Sequence, residues 1–563
     1  MTNLKTIRLA RAGLRLAAIA LTIWTYGTAA ASAAEARFTV SFDASFRSEP
    51  LTGRLLVVVT DKAGAEPRQQ IGMYGAPIFG IDLNGLRPGE SASLGAAAVG
   101  YPVASTAKLP AGDYYVQAIV EPYRQVHRAD GHTIWAVSHP GQGVPFAFPG
   151  NLYSAPVKVH LDPAAGFDVR LKLNQIIPES RQPDTAWIKR VRVKSEILSR
   201  FWGMPIYLGA NVLLPKGYAE HPDAHYPIVY LQSFSADPFF ISDKPGPSPE
   251  DAALRDANLQ TGYEFFQSWT WDKFPRILAA TVEQPCPYFV EAYSVDSANC
   301  GPYGEALTKE LFPYLEKKFR AIGKPYARFV EGASTGGWES LALQLKYPDY
   351  FGGTWTFNPD PISFRHYQLI DIYKDDNAFE VPLSSWMHAE RSMKRTVEGQ
   401  VLLTIRQLSA LEAALGDKGR SGFQLECWEA IYGPVGEDGY PKPLWDKATG
   451  RIDHSVAAYM RDHGYDLTDY TERNWATLGP KLRGKLNIIS GDMDWFYLNN
   501  AVYDFQAMIE KMGGPDYPAR FVFGRPKKGH NWHHKDWAGV VQEMAAQALG
   551  NAPAGENTAQ WHY

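Results

Sequence analysis

Cysteine is scarce in this chain, which has only Cys286, Cys300 and Cys427 among its 563 residues. So few cysteines cannot form the dense disulfide framework of a small secreted domain, and an odd number leaves at least one thiol unpaired within the monomer. Their pattern also does not match a zinc site. Two alternatives stay open for Cys286 and Cys300, which flank a loop-like stretch: a bridge between them, or buried free thiols.

An excess of charge of one sign is also missing. The chain has 56 Lys and Arg against 60 Asp and Glu, which gives a formal net charge of −4, and no long run of like charge provides a surface for a polyanion. We therefore expect no nucleic acid partner. The residues are 45% hydrophobic and 13% aromatic, so the chain can bury a large core, and its length predicts two or three domains.

Long apolar runs are absent except near the N-terminus. Residues 16–24 form a short apolar stretch that is preceded by four cations, Lys5, Arg8, Arg11 and Arg15, and followed by the small-x-small pattern Ala31-Ser32-Ala33. This arrangement predicts a signal peptide over residues 1–33, because the stretch is shorter than the roughly 20 residues that a membrane anchor needs. We expect a periplasmic or secreted protein with no integral membrane segment after cleavage.

The chain from 37 to 173 has a period of two. Tyr114, Val116, Ala118 and Val120, for example, recur at every second position after a Pro-Ala-Gly-Asp turn. Several such segments between Gly- and Pro-rich turns predict a small antiparallel β-sandwich of the immunoglobulin type. Residues 174–190, which contain two prolines, predict a linker.

Residues 191–550 have a different pattern, in which short apolar strands alternate with helices. Strands are predicted at 228–231, 277–282, 329–331, 486–490 and 521–523. A helix with Trp338, Leu341 and Leu345 on one face follows the third of them. Pro313 indicates that another helix starts late or kinks there. This alternation predicts an α/β domain.

The strongest local motif is Gly332-Ala333-Ser334-Thr335-Gly336, which lies between a predicted strand and a predicted helix. A G-x-S-x-G sequence in this context predicts the nucleophile elbow of an α/β-hydrolase, a tight turn that exposes the serine hydroxyl. Larger side chains at the two glycines would collide with neighbouring backbone. The N–H of Thr335 is a predicted oxyanion donor. The alternative is a glycine-rich turn whose serine has no catalytic role.

A nucleophilic serine needs a histidine base and an acid, which follow it in the order Ser, Asp, His in this fold. Gly491-Asp492-Met493-Asp494 follows one predicted strand, and Gly529-His530 follows the next. His530 is the predicted base, and either Asp492 or Asp494 could orient it. His533 and His534 could form a metal cluster with His530, but no carboxylate or cysteine signature accompanies them, so we interpret them as surface or pocket-rim side chains.

Further motifs accompany these residues between 191 and 546. They are Asn211-Val212-Leu213-Leu214-Pro215-Lys216-Gly217-Tyr218, Tyr226-Pro227-Ile228-Val229-Tyr230-Leu231, residues 310–319, Gly491-x-x-Asp494 and Gly529-His530-x-Trp532. With the Ser334 elbow, they make the chain resemble the esterase D superfamily of α/β-hydrolases, which includes feruloyl esterases, enterochelin-type esterases and S-formylglutathione hydrolase. In that superfamily the acid stands three residues after the glycine, so the resemblance favours Asp494. An immunoglobulin-like domain ahead of the hydrolase resembles the enterochelin-esterase arrangement.

Two features depart from the superfamily pattern. Where a His-Gly pair usually follows the strand ending at Leu231, this chain has Gln232-Ser233-Phe234-Ser235, so the second oxyanion donor is assigned only to a backbone N–H near Phe234. The segment 361–480, between the predicted nucleophile and the predicted acid, is also unusually long for this fold and rich in aromatic residues. We interpret them as a cap or side lobe, which either walls the pocket or has a core of its own.

Together these observations predict an exported serine hydrolase that cleaves carboxylic esters through Ser334, His530 and Asp494, with no cofactor or metal. Its substrate would be a small-molecule or glycan-linked ester. A peptidase or an acyltransferase would use the same triad. A non-catalytic envelope or glycan-binding protein on a hydrolase scaffold is the alternative from another class.

Overall fold

The computed structural model of the protein describes residues 35–137, 147–179, 182–234, 242–245 and 251–563. The signal peptide predicted at 1–33 lies outside these residues. Within the described part of the chain, no helix combines the length and the apolar composition needed to cross a bilayer.

The N-terminal part is rich in strands, as predicted. Its strands are β1 (Ala36–Ser41), β2 (Leu51–Thr60), β3 (Ile78–Leu86), β4 (Ser91–Leu94), β5 (Val99–Tyr101), β6 (Gly112–His127), β7 (Thr133–Val137), β8 (Leu152–Ser154), β9 (Val157–Leu161) and β10 (Phe167–Ile176). They are hydrogen-bonded in the order β4-β1-β10-β8-β6-β2-β3-β5, with β7 and β9 also paired to β6. β1 and β10 are parallel, unlike the purely antiparallel arrangement expected from the sequence.

Alternate side chains of strand β2 pack into two different apolar cores. Leu55, Val57 and Val59 pack in an apolar cluster whose members all lie between Phe38 and Leu173. Leu56 and Val58, on the opposite face, belong to the large core that extends through the rest of the molecule. Because successive side chains of a strand point to opposite faces, this strand contributes to two cores at once.

Fourteen further strands follow in the described residues. They are β11 (Ile188–Ser195), β12 (Ile206–Leu213), β13 (Ile228–Gln232), β14 (Leu278–Glu283), β15 (Asp296–Ser297), β16 (Gly301–Pro302), β17 (Arg328–Ala333), β18 (Gly353–Phe357), β19 (Glu380–Ser384), β20 (Met387–Glu390), β21 (Ser392–Arg395), β22 (Val401–Thr404), β23 (Leu486–Gly491) and β24 (Arg520–Gly524). Since β10 ends at Ile176 and β11 begins at Ile188, the connection is shorter than the linker of 174–190 expected from the sequence.

Eight of these strands form one sheet in the order β11-β12-β14-β13-β17-β18-β23-β24. β12 is antiparallel to both of its neighbours, β11 and β14, and from β14 onward all neighbours are parallel. The chain adds β14 on one side of β13 and then β17 on the other, so the strand order reverses at β13. At such a point the loops after neighbouring strands diverge and leave a crevice at the carboxyl edge, where α/β folds bind their ligands.

The helices are α1 (Glu196–Trp202), α2 (Asp251–Asp256), α3 (Gly262–Trp269), α4 (Tyr303–Ala306), α5 (Phe312–Phe319), α6 (Thr335–Lys346), α7 (Ile405–Leu415), α8 (Gln424–Tyr432), α9 (His454–Asp462), α10 (Leu467–Arg473), α11 (Trp475–Leu482), α12 (Asn499–Gly513) and α13 (Trp537–Asn551). A π-helical turn, Leu307–Leu311, joins α4 to α5. Pro313, which cannot donate a backbone hydrogen bond, lies in the first turn of α5, so the helix changes its winding there.

The stretch between β18 and β23 packs against the N-terminal strands. The buried guanidinium of Arg54 donates to the carbonyls of Ala413 (2.8 Å) and Ala414 (2.8 and 3.1 Å) at the end of α7. Arg420, also buried, forms an ion pair with Asp82 at 3.1 Å. Bonds from two buried arginines fix this inserted lobe relative to β2 and β3.

All three cysteines are buried and free. The thiol of Cys286 makes a hydrogen-bonding contact with that of Cys300. The structure thus has the buried free thiols that were one of the two alternatives from the sequence, with the first two side by side.

Candidate active site

Ser334 stands between β17 and α6 in a strained backbone conformation, with φ 59° and ψ −120°. Residues other than glycine rarely adopt these backbone angles, and those that do cluster at functional sites. Both flanking glycines are required by close contacts: a Cβ on Gly332 would lie 2.2 Å from the carbonyl oxygen of Gly336, and one on Gly336 would lie 2.0 Å from the carbonyl oxygen of Gln232. The turn therefore has the geometry of a nucleophile elbow.

The elbow lies directly against the carboxyl end of β13. A Cβ on Gly336 would come within 3.0 Å of the backbone nitrogen of Ser233, the residue after that strand. Phe234, the residue named from the sequence for the second oxyanion donor, is 40% exposed, and its ring meets that of Phe289 at 5.4 Å. Thr335, the first residue of α6, is buried next to Ser334.

His530 and Asp494 form a buried pair. Nδ1 of His530 is 2.6 Å from Oδ2 of Asp494, while Oδ1 of Asp494 accepts from the N–H groups of Phe496 (2.8 Å) and Leu498 (3.3 Å). Burial lowers the pKa of His530, but the charge and hydrogen bond of Asp494 outweigh it, so that the pKa lies above its ordinary value. With its proton on Nδ1, the ring has Nε2 left as an acceptor.

Asp492 has a different position. Its Oδ1 accepts the backbone N–H of Lys528 at 3.2 Å and so ties the acid loop to the loop that precedes His530. Of the two aspartates considered from the sequence, Asp494 is the one in contact with the imidazole.

Asp360 is a further acid in the site that the sequence analysis missed. It lies three residues beyond the end of β18, and its Oδ1 accepts the hydroxyl of Ser334 at 3.4 Å. Its backbone N–H donates to the carbonyl of Ser334 at 3.0 Å. Burial raises the pKa of Asp360. No hydrogen bond joins Ser334 Oγ to His530 among the described residues, so the hydroxyl in this structure is bound to Asp360 instead.

The other carboxylate oxygen of Asp360 is held by four donors. Oδ2 accepts from the hydroxyls of Tyr293 (2.7 Å) and Thr335 (3.2 Å), from Nε2 of Gln424 (3.0 Å) and from Nε1 of Trp428 (3.2 Å). Gln424 and Trp428 belong to α8 of the inserted lobe. The aromatic-rich stretch expected from the sequence therefore has a buried core and also contacts Asp360, the carboxylate that binds Ser334. The signal in the sequence for Asp360 was a carboxylate shortly after β18, the strand that pairs with β17.

His533 is buried and the side chain of His534 is nearly so, which corrects the expectation that both are surface or pocket-rim side chains. Burial lowers the pKa of His533 to about 4, and its ring packs against Trp537 at 4.6 Å. His534 Nε2 lies 2.9 Å from a carboxylate oxygen of Glu543. The described residues contain no group of three His, Cys, Asp or Glu side chains placed to hold a metal ion.

The similarity to a known family covers one part of the chain. The model of a family described as "Putative esterase" matches residues 204–405, which run from β12 to the start of α7 and include the Ser334 elbow. This match supports an esterase-type α/β-hydrolase. The comparison with curated proteins gave no match.

Solved structures with some similarity include three proteins at low identity. FrmB, an S-formylglutathione hydrolase from Staphylococcus aureus, is 12% identical over 64% of this chain and 98% of its own, with a TM-score of 0.31. The ferulic acid esterase Fae1A from Anaeromyces mucronatus, solved with ferulic acid, is 12% identical over 64% and 90%, with a TM-score of 0.28. MPT51 (FbpC1) from Mycobacterium tuberculosis is 14% identical over 65% and 99%, with a TM-score of 0.33. Scores this low carry no inference about the site or substrate.

Proposed function

We propose that the protein is an exported serine hydrolase that cleaves carboxylic esters through Ser334, His530 and Asp494. The observation that carries this proposal is the buried His530–Asp494 pair, which leaves Nε2 of His530 as an acceptor. The charge of His530 acts to lower the pKa of Asp360, the carboxylate that accepts the hydroxyl of Ser334, and Ser334 lies on a strained elbow. The family match over residues 204–405 supports ester hydrolysis in general.

In the proposed reaction, Ser334 Oγ attacks the ester carbonyl while Nε2 of His530 takes its proton. Asp494 holds the ring in the required tautomer and stabilises the imidazolium that forms. His530 then donates the proton to the leaving alcohol. In the second half, a water molecule gives a proton to His530 and attacks the acyl carbon, and His530 returns that proton to Ser334 Oγ as the bond between serine and acyl group breaks. Before attack, the hydroxyl must turn from Asp360 Oδ1 towards His530, since it can donate to one acceptor at a time.

The tetrahedral oxyanion would be stabilised by backbone donors. The N–H of Thr335 is the first donor, since it is at the start of α6, where the first N–H groups of a helix have no partner within the helix. The second donor is a backbone N–H after β13, near Phe234. We also propose that residues 37–173 form a separate β-domain and that residues 1–33 direct the protein to the periplasm or the medium.

A fluorophosphonate probe tests the proposal, because it reacts covalently with an activated serine. We expect stoichiometric labelling of the wild-type protein and none of Ser334→Ala. Ser340→Ala is the matched control: Ser340 is a buried serine of α6 whose hydroxyl donates to the carbonyl of Gly337 at 2.9 Å, and its loss should leave labelling intact. No labelling of folded wild-type protein would overturn the proposal and favour a non-catalytic binding protein.

A further inference from the structure

A lysine surrounded by aromatic rings lies beside the proposed base. The ammonium of Lys394, on β21, is 5.1 Å from the ring centre of Phe496, 5.5 Å from that of Tyr74 and 5.8 Å from that of Trp495. We call these four residues the aromatic–lysine cluster. They come from three distant parts of the chain: the loop before β3, the inserted lobe and the loop after the proposed acid.

The cluster borders the reacting groups directly. Trp495 and Phe496 follow Asp494 in the chain, and their ring centres lie 6.2 and 5.0 Å from that of His530. The indole of Trp495 also packs on the loop of the base, since a Cβ on Gly529 would be 2.3 Å from its Nε1. Lys394 is near enough that its charge acts to lower the pKa of His530. A molecule that contacts His530 on this side would therefore meet the cluster.

Lys394 has no carboxylate partner among the described residues, although it is partly buried. The next residue, Arg395, is by contrast bound through Nε to the carbonyl of Asp494 at 3.0 Å. Burial lowers the pKa of Lys394, which shows that the surroundings do not compensate its charge fully. Ring faces attract a cation but satisfy it less well than an anion does. The cluster thus provides a cation and flat apolar surfaces next to the base.

We propose that the aromatic–lysine cluster binds the alcohol part of the substrate, and that this part is an aryl group carrying an anion such as a carboxylate. The proposal rests on the proposed function. His530 passes its proton to the leaving oxygen, so the alcohol must lie on the side of His530 and not on that of the acyl pocket. Tyr74 is 60% exposed at the rim, so the N-terminal strand-rich part would take part in binding the substrate.

Three acetyl esters of matched shape test the charge preference: 4-acetoxybenzoate, its neutral amide 4-acetoxybenzamide, and the cation (4-acetoxyphenyl)trimethylammonium. For the wild-type protein we expect kcat/KM to fall in that order, with the anion about tenfold ahead of the amide, as expected for a charge-assisted contact. In Lys394→Met, which keeps the length of the side chain, the anion should lose about tenfold and the amide less than twofold. Lys527→Met, an exposed lysine in the loop before His530, is the control and should keep the wild-type ratios.

Further outcomes separate this inference from the proposed function. If Ser334→Ala abolishes hydrolysis but Lys394→Met leaves the ratio of anion to amide unchanged, or lowers all three esters equally, the inference is wrong and the proposed function stands. If Ser334→Ala hydrolyses the esters as fast as the wild type, the proposed function fails first. Should Lys394→Met not fold, inhibition of the wild-type protein decides: 4-hydroxybenzoate should inhibit about tenfold more strongly than 4-hydroxybenzamide, and equal inhibition would refute the cluster as an anion site.

Discussion

Replacing Asp494 with Asn tests the proposed acid most sharply, because the structure fixes how the new side chain would sit. Oδ1 of Asp494 accepts two backbone N–H groups, those of Phe496 and Leu498. The amide oxygen of Asn must stay there to satisfy both donors. Its NH₂ group therefore takes the place of Oδ2 and points a donor at Nδ1 of His530.

This forces the imidazole into the wrong tautomer. Nδ1 must then accept, so the proton moves to Nε2, the atom that should take the proton of Ser334. Where a serine triad has lost its acid in this way, kcat falls by about 10⁴, equivalent to roughly 5.5 kcal/mol at 1.36 kcal/mol per tenfold. The backbone contacts of the side chain are kept, so we expect little change in the circular dichroism spectrum.

The assay measures the rate of p-nitrophenyl acetate hydrolysis across a range of pH. Titration with a fluorophosphonate gives the concentration of active sites. Asp492→Asn is the matched control, since an Asn oxygen can still accept the N–H of Lys528, and its kcat should stay within a few-fold of wild type. Burial acts to lower the pKa of His530 and Asp494 raises it above the ordinary value. Since the neutral ring is the base, wild-type kcat/KM should fall as the pH drops through this raised pKa, and any residual activity of Asp494→Asn should persist to lower pH. A larger loss in Asp492→Asn than in Asp494→Asn would refute the assignment.

Three further sets of substitutions address the rest of the site. Ser334→Ala, His530→Ala and the double variant should all retain similar residual activity, about 10⁴–10⁶-fold below wild type, because nucleophile and base act as a unit; additive losses in kcat would contradict this. Asp360→Asn removes a charge that raises the pKa of His530, so the acid limb of the kcat/KM profile should move to lower pH, and an unmoved limb would show that Asp360 is merely structural. Trp428→Ala should change the ratio of kcat/KM between bulky aryl esters and acetate esters. Trp445 is buried in the lobe with its indole bound to Ser409, so Trp445→Ala should lower the free energy of unfolding by about 3–5 kcal/mol and leave the ratio unchanged. A ratio changed equally in both variants would contradict a separate role for Trp428 in the pocket.

The elbow and the positions of the proposed base and acid were predictable from the sequence. Each has a local signature: the G-x-S-x-G turn lies directly between a strand and a helix, and the loops of Asp494 and His530 directly follow strands. The close contact of Gly336 with the carbonyl of Gln232 comes instead from a distant part of the chain. Strands that lie side by side in a parallel sheet bring such loops to one edge. The choice of Asp494 over Asp492, however, came from resemblance to other sequences and not from these local rules.

What the sequence alone could not predict depends on contacts between distant parts of the chain. The carboxylate of Asp360 is held in the site partly by Gln424 and Trp428, which α8 of the inserted lobe supplies from more than 60 positions later in the chain. Lys394 is one of many lysines until Tyr74, 320 positions earlier in the numbering, and the rings after Asp494 surround it. Local propensity and spacing carry no information about such pairs, because they are decided by how whole elements pack and by which buried polar groups then need partners.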